Sequence, residues 1–306
     1  MPTLVTGSRG LVGRHLVTQL LDSGEEVIGY NRDFTIDSRT GLQMVQGELF
    51  DIPRLLSTLR DHQVDRIIHT AGMSHPGLSV EFPITTFSAN MEGTLSVFES
   101  ARLAGISRVV NFSSECAYGN LEIGVQVEED TKPIPTTPYG VTKVAGELLG
   151  GVYNDQYQMS VVSLRITEVY GPGLWMPSLL ADMLRAVLAG DPFILEEGAD
   201  HPFQFVYVED VATAATLASL ATTLEQPTYH VSGGTYTTLA ETAELVRELV
   251  PGALIEIGPG CLSAWDRMGP FDLTATGRDI GYVPSWTLPE GLASTAAWIA
   301  SAGPAT

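Results

Sequence analysis

Tyr139 and Lys143 lie four residues apart in the stretch PYGVTK, and Lys143 is one of only two lysines against 14 arginines. Lysine can give up its proton inside a protein and arginine cannot, which singles out this position for chemistry. If the segment is helical, the two side chains share a face, one turn apart. A phenol has a pKa of about 10 and is a poor base at neutral pH. A neighbouring ammonium stabilises phenolate and lowers that value. The expectation is a tyrosine that takes a proton from an alcohol or returns one to a carbonyl. In NFSSECAYG, Ser114 stands where it can donate a hydrogen bond to the same substrate oxygen. Ser114, Tyr139 and Lys143 are the candidate catalytic residues.

Several elements must bring these residues together. Residues 3–6, TLVT, form a buried-strand pattern that runs into GSRGLVG and then RHLVTQLLDSG, apolar at helical spacing and stopped by Gly24. EVIGYN reads as the next strand, and strands at 65–72 and 108–114 flank a helical stretch at 88–104. Residues 139–157 read as a helix, 159–166 as a strand, and 203–220 as a strand followed by a helix. Strands alternating with helices predict a parallel sheet covered on both faces. After about residue 165 the pattern loosens into a short helix at 178–190, a helix at 238–250 and a glycine- and proline-rich tail up to a helix at 289–301. The predicted fold class is α/β: a Rossmann-type doubly wound parallel sheet over 1–165 and about 203–222. A smaller, discontinuous substrate-binding lid is expected from about 166–202 and 223–306.

TGSRGLVGRHL places Gly7, Gly10 and Gly13 between the first strand and the first helix. Small residues let the backbone turn tightly, and the helix N-terminus around Leu11 and Val12 presents free N–H groups to a pyrophosphate. The spacing departs from G-x-G-x-x-G in the first gap, while strand, loop and helix stand in the order a dinucleotide site requires. The second strand ends at Tyr30-Asn31-Arg32. A carboxylate at Asn31 would bond the adenosine ribose and select NAD. The neutral amide, with Arg9 and Arg32 as two nearby cations, favours NADP over NAD. Glu48 and Leu49 are candidates to border the adenine. Beside such a cofactor, the rotatable donors of Lys143 can also reach the nicotinamide ribose.

The glycine loop, the serine strand and the tyrosine–lysine helix, in this order, resemble the short-chain dehydrogenase/reductase superfamily. The longer chain resembles its extended branch, the NAD(P)-dependent epimerase/dehydratase family. TGSRGLVG, IIHTAG, NMEGT, NFSSECAYG, YGVTKVAGE, LRITEVYGPG, FQFVYVEDVA and RDIGYVPSWTLPEGL all look like its landmarks, so the likeness covers nearly the whole sequence. The resemblance implies Ser114, Tyr139 and Lys143 as a catalytic triad, Asn90 in support of the lysine's proton relay, and Thr70, Ala71 and Gly72 along the cofactor. It also implies a homodimer that pairs the helices at 88–104 and 139–157 into a four-helix bundle.

Candidate substrate contacts are Ser74, Ser114, Glu115, Cys116, Glu168, Trp175 and Arg267. Sugar-nucleotide members of the family often hold asparagine or threonine where this chain has Glu168. Many also carry an arginine just before the strand that here begins Phe203-Gln204-Phe205. Arg267 then remains as an anion clamp, or as a surface residue. Where dehydratases of the family place an Asp-Glu pair, this chain has Glu115-Cys116, which ranks a 4,6-dehydratase last. Glu115 is a substrate contact or a strand-end residue satisfied by backbone donors, and Cys116 fits packing. Trp175 and Met176 cap the pocket or belong to the lid core. His69 suits a core or cofactor-lining role, and Trp265, Trp286 and Trp298 suit packing. The first expectation is epimerisation through a keto intermediate. The second is a net dehydrogenase acting on a sugar, aldonate, polyol or other hydroxy compound, and the third is a non-catalytic cofactor sensor.

The composition narrows the partners. The 306 residues include 16 basic and 36 acidic side chains, a net charge of −20, which disfavours nucleic acid and anionic membranes. Cys116 and Cys261, far apart, read as reduced thiols in the cytoplasm rather than a disulfide. MPTLVTG shows no signal-peptide pattern, and no run of 18 apolar residues occurs. His75, His201 and His230 have no metal-ligand spacing, so no metal is expected.

Overall fold

A computed structural model of the chain describes residues 2–33 and 36–302. β1 (Thr3–Thr6) leads through the glycine loop into α1 (Leu11–Asp22), followed by β2 (Val27–Asn31), β3 (Leu42–Gln46), α2 (Ile52–Asp61) and β4 (Arg66–His69). Two short helices, α3 (Pro76–Glu81) and α4 (Pro83–Phe87), run into a π-helical turn at Ser88–Glu92 and then α5 (Gly93–Ala104). β5 (Arg108–Ser114), α6 (Pro138–Tyr157) and β6 (Ser160–Ile166) complete the first half. The second half holds β7 (Glu168–Tyr170), α7 (Leu179–Ala189), β8 (Phe193–Leu195), β9 (Pro202–Phe203), β10 (Phe205–Tyr207) and α8 (Val208–Leu220). It ends with β11 (Thr228–Val231), β12 (Thr237–Thr238), α9 (Leu239–Leu249), β13 (Ile255–Ile257), a second π-helical turn at Thr276–Ile280 and α10 (Leu288–Ala302).

Seven strands pair in parallel in the order β3-β2-β1-β4-β5-β6-β11. Both faces are covered, as the near-continuous apolar strands require. Leu4 joins one core with Ile28, Leu55 and Phe98, while its neighbour Val5 joins the other with Leu16, Leu20 and Ala215. The pairs Ile67/Ile68, Val109/Val110 and Val161/Val162 divide between the two cores in the same way, because successive strand side chains point to opposite faces. The chain runs outward from β1 to β3 and then returns to β4. The crevice at the carboxyl ends of β1 and β4 is therefore the switch point where doubly wound sheets take ligands.

The expected strand-plus-helix at 203–220 divides between two places. α8 packs on the main sheet, with Val211, Ala212 and Ala215 in the core shared with Val5 and Leu16. β10 instead pairs with β7 in a separate two-stranded sheet. The edge beside β6 is filled by β11, whose Tyr229 and Val231 are fully buried. That strand falls in a stretch expected to belong to the lid. The third core lies in the second half, joining Leu180, Leu184, Val187, Leu239, Val246 and Leu292 from α7, α9 and α10 to Phe205 and Tyr207.

α6 carries the tyrosine–lysine pair and is fixed at both ends. Thr137 caps it by accepting from the Gly140 N–H at 3.1 Å, and Pro138 occupies its first turn. Gln158 ends it in a left-handed conformation, φ 55°. One face is small. A Cβ at Gly140 would come within 2.3 Å of the Cys116 carbonyl oxygen, and one at Gly150 within 2.9 Å of Val161. The helix therefore rests its backbone against the turn that follows β5.

Candidate active site

The cofactor cradle begins at Gly7, whose φ of +68° and close approach to the Ala71 backbone suit glycine. At Gly13 a Cβ would lie 2.2 Å from the Gly7 carbonyl oxygen, so the first turn of α1 packs directly on the loop. Gly10 is the N-cap of α1, and no side chain caps it. The amides of Leu11, Val12 and Gly13 thus keep the free N–H groups of a helix start. Such a helix start carries positive character, and it fits a dinucleotide pyrophosphate.

Asn31 ties the end of β2 to this loop. It donates to Ser8 Oγ at 2.6 Å and accepts from the Arg9 N–H at 3.3 Å. Arg9 and Arg32 are both exposed at this edge. The Glu48 side chain is also exposed, and its backbone carbonyl accepts from the Tyr30 hydroxyl at 3.1 Å. Leu49 packs towards Gly93 at the start of α5. Thr70 donates to the Thr6 carbonyl at 2.8 Å and the Ala71 N–H to Thr6 Oγ1 at 3.3 Å, which pins the exit of β4 against the glycine loop.

Ser114 ends β5, and Tyr139 and Lys143 lie on the first turns of α6. Ser114 and Tyr139 are buried, at 8% and 6% exposure, and their side chains share a hydrogen bond. The Tyr139 N–H donates to Ser79 Oγ at 3.1 Å, so α3 also anchors this turn. The Lys143 ammonium lies over the Tyr139 ring, 5.3 Å from its centroid, and donates to the Phe112 carbonyl at 2.7 Å. Burial lowers Lys143 to about 8, against the opposing pull of Cys116 and Glu147. The lysine can therefore change charge near neutral pH.

The expected acidic phenol is not what this geometry produces. Burial holds Tyr139 above its ordinary value, the charges of Cys116, Glu168 and Glu115 push the same way, and the bond to Ser114 offsets only part. The reason is positional. The ammonium faces the ring and a carbonyl rather than the phenol oxygen, and carboxyls act on that oxygen. Burial likewise raises Glu115 well above the carboxylate range, with help from Glu168 and Asp266. Burial alone lifts Glu168 to about 7, and burial with Glu115 lifts Cys116 to about 12.

Asn90 sits on the π-helical turn before α5 and links three segments. Its amide oxygen accepts from the Met73 N–H at 2.8 Å, and its NH2 donates to the Met73 carbonyl at 3.1 Å and to Thr142 Oγ1 at 3.0 Å. A Cβ on Gly72 would approach that oxygen to 2.8 Å. Asn90 also lines a small cavity with His69, Ala71, Thr94, Asn111 and Lys143. His69 spans Thr6 and Thr94 through its two ring nitrogens, at 2.7 and 3.1 Å. Burial, reinforced by Lys143, lowers it to about 3, so the ring is neutral and structural.

A second cavity is lined by Glu115, His201, Gln204, Tyr236 and Asp266 among others. Arg267 is exposed, and its charge reaches His201. Trp175 is 72% exposed and lines neither cavity, while its neighbour Met176 meets Ser74 Oγ at 3.8 Å through sulfur. Sequence reasoning missed His201, Gln204, Tyr236 and Asp266 because they come from separated loops with no shared period. It also missed Glu147, one turn after Lys143, which pairs with Arg165 at 2.6 Å and accepts from Ser113 Oγ at 2.5 Å. An acidic residue at i+4 from the lysine was the available signal.

A parallel doubly wound sheet with a glycine cradle and a serine–tyrosine–lysine cluster at its carboxyl edge defines a nicotinamide-dinucleotide enzyme. A model of the NAD dependent epimerase/dehydratase family matches residues 3–232, and the chain belongs to that family. It is 28% identical to the UDP-glucose 4-epimerase of Mycolicibacterium smegmatis, over 96% of this chain and 97% of that one. It is 27% identical to a dTDP-glucose 4,6-dehydratase of Streptomyces antibioticus, over 97% and 92%. The structure of Thermus thermophilus UDP-glucose 4-epimerase in complex with NAD superposes with a TM-score of 0.86 at 27% identity, covering 100% of both chains. No helix among the described residues is long and apolar enough to cross a membrane, and the described residues contain no group of three or more His, Cys, Asp or Glu that could hold a metal ion.

The raised Glu168 carboxyl has a thermodynamic consequence. Its folded value, about 7, lies above its ordinary 4.5. Its contribution is therefore fully present below pH about 4.5 and is lost as pH rises through about 7. Glu168→Gln removes that loss. Between pH about 5 and about 8 the variant should gain on the wild type by about 1–3 kcal/mol in urea unfolding. An identical pH slope in the two proteins would show that the carboxyl is solvated and unshifted.

Proposed function

We propose that this enzyme performs reversible hydride transfer at a secondary hydroxyl of a sugar-like compound, through a keto intermediate, in the manner of an epimerase. The observation that carries the reading is the meeting of Ser114, Tyr139 and Lys143 at the sheet edge beside the glycine cradle. When bound, the oxidised dinucleotide supplies the hydride acceptor and a cationic ring. Tyr139 Oη takes the hydroxyl proton, and Ser114 Oγ holds the same oxygen as it becomes a carbonyl. Lys143 and Asn90 hold the proton path behind the phenol. Net oxidation of a hydroxy compound is the second reading, and Glu168, a carboxyl where sugar-nucleotide members of the family often hold asparagine or threonine, favours it. Tyr139→Phe should lower kcat by at least about 10²–10⁴-fold while cofactor affinity stays within about twofold. In the wild type, absorbance of the reduced nicotinamide stays flat for epimerisation and rises stoichiometrically for oxidation.

NADP is the proposed cofactor, supported by the neutral Asn31 amide and the exposed Arg9 and Arg32 beside it. Arg9→Ala combined with Arg32→Ala should weaken NADP binding by about tenfold or more and leave NAD binding within about twofold. Equal losses for the two cofactors would mean that neither arginine meets a 2′-phosphate.

A homodimer through α5 and α6 is supported by their exposed apolar residues, Leu95, Leu103, Val141, Leu148 and Val152. Exposed apolar side chains on two adjacent helices mark an interface. The native mass in light scattering should be twice that of the chain, and Leu148→Glu, at a position 69% exposed, should halve it. Both cysteines are free, which suits the proposed cytoplasmic setting.

A further inference from the structure

Three residues of α6, spaced four apart, meet three consecutive residues of β5. Tyr139 shares a hydrogen bond with the Ser114 side chain, Lys143 donates to the Phe112 carbonyl at 2.7 Å, and Glu147 accepts from Ser113 Oγ at 2.5 Å. The proposed reaction uses the first two and leaves Glu147 without a part. Its side chain is only 7% exposed. From β6, Arg165 Nε donates to Glu147 Oε1 at 2.9 Å and Nη2 to Oε2 at 2.6 Å, a bidentate grip. The other arm of Arg165 is turned away, to the Tyr118 hydroxyl and the Glu129 carbonyl. The Tyr118 hydroxyl in turn meets His230 Nε2, on β11, at 2.6 Å. One carboxylate therefore joins α6 to β5 and β6 and, through Arg165 and Tyr118, to β11.

A buried ion pair is weak evidence for stability, so its use is sought in its neighbour, Lys143, one turn back on the same helix. Two groups act on Lys143 by charge and favour its ammonium form, Cys116 and Glu147. Cys116 is raised to about 12 and keeps its proton at neutral pH, which leaves Glu147. The other groups around the lysine carry no charge there. His69 on β4 is lowered to about 3, Asn90 and Thr94 are neutral side chains, and Tyr139 is held above its ordinary value. Glu115 and Glu168 act on Tyr139. We propose that Glu147 is a positioning residue of the redox centre: clamped by Ser113 and Arg165, it supplies the negative charge that keeps Lys143 an ammonium. Without that charge, burial would strip the lysine of its proton more easily. Glu147 likewise opposes loss of the same proton beside a positive nicotinamide ring. The proposal rests on the redox reading of Ser114, Tyr139 and Lys143, which gives the lysine its task.

With only two lysines in the chain, Lys143 can be followed directly. The full-length protein carrying 13C at the lysine ε-carbon gives two NMR resonances, and the exposed Lys132 serves as internal reference. In the wild type the Lys143 resonance should titrate with a midpoint of about 8. Glu147→Gln should bring that midpoint to about 7 or below. Glu147→Asp, shorter by one methylene but still charged, should restore most of the difference. A carboxyl that served only as a clamp would leave the Gln and Asp variants with the same midpoint. Glu147→Gln strands a buried guanidinium. Should it not fold, Glu147→Gln combined with Arg165→Gln, neutral on both sides, carries the same downward expectation. A midpoint unchanged in the folded variant, or equal in the Gln and Asp variants, overturns the proposal. If the midpoint stays while Tyr139→Phe abolishes turnover, the redox reading stands and the role of Glu147 alone falls. If the midpoint drops while Tyr139→Phe keeps full turnover, the hold on Lys143 stands and the redox reading fails.

Discussion

The contact between α6 and the turn after β5 governs this site. Gly140 brings the helix backbone so close to the Cys116 carbonyl that any side chain there would overlap it. Tyr139 is thereby set against Ser114, and Lys143, one turn on, swings over the tyrosine ring to the Phe112 carbonyl on β5. The buried Glu147–Arg165 pair clamps α6 to β6. Arg165 also bonds the Tyr118 hydroxyl at 2.5 Å, so the clamp reaches the segment after Ser114. Buried ion pairs add little net stability, yet breaking one leaves an uncompensated charge. The pair therefore restricts the arrangements α6 can adopt.

The electrostatics of the pocket run against simple phenolate formation. Burial disfavours charge on Tyr139, Lys143, Glu115 and Glu168 alike. Tyr139 and Glu115 are therefore held towards the protonated form, and Lys143 and Glu168, at about 8 and about 7, stand closest to changing state. A positive cofactor ring would favour the ionised phenol and carboxyls and would favour neutral Lys143. Catalytic competence is then a property of the loaded site, which suits an enzyme that must not expose a permanent buried phenolate.

Local features of the chain were enough to locate the cradle and the triad. A helix face one turn deep is a short-range property, so Tyr139 and Lys143 declared themselves by spacing. Gly7, Gly10 and Gly13 did so by sitting between an apolar strand and an amphipathic helix. The helices at 178–190, 238–250 and 289–301 appear within two residues of their expected ends, at Leu179–Ala189, Leu239–Leu249 and Leu288–Ala302. Strand β10 misled because an isolated apolar run carries no information about its hydrogen-bonding partner. Asn90 was expected as a proton-relay residue, and its role as a tie from the Met73 loop to α6 emerged only from the packed structure.

The sequence alone therefore determined the α/β class, the dinucleotide cradle and the identity of the three candidate catalytic side chains, because each depends on short stretches with a strong local pattern. Only the tertiary structure decided which edge β11 occupies, which way the Lys143 ammonium points, and that Glu115, His201, Phe203, Tyr236 and Asp266 share one cavity. Those outcomes depend on burial and on distances between segments far apart in the chain. Neither quantity exists until the sheet has formed and its loops have closed over it.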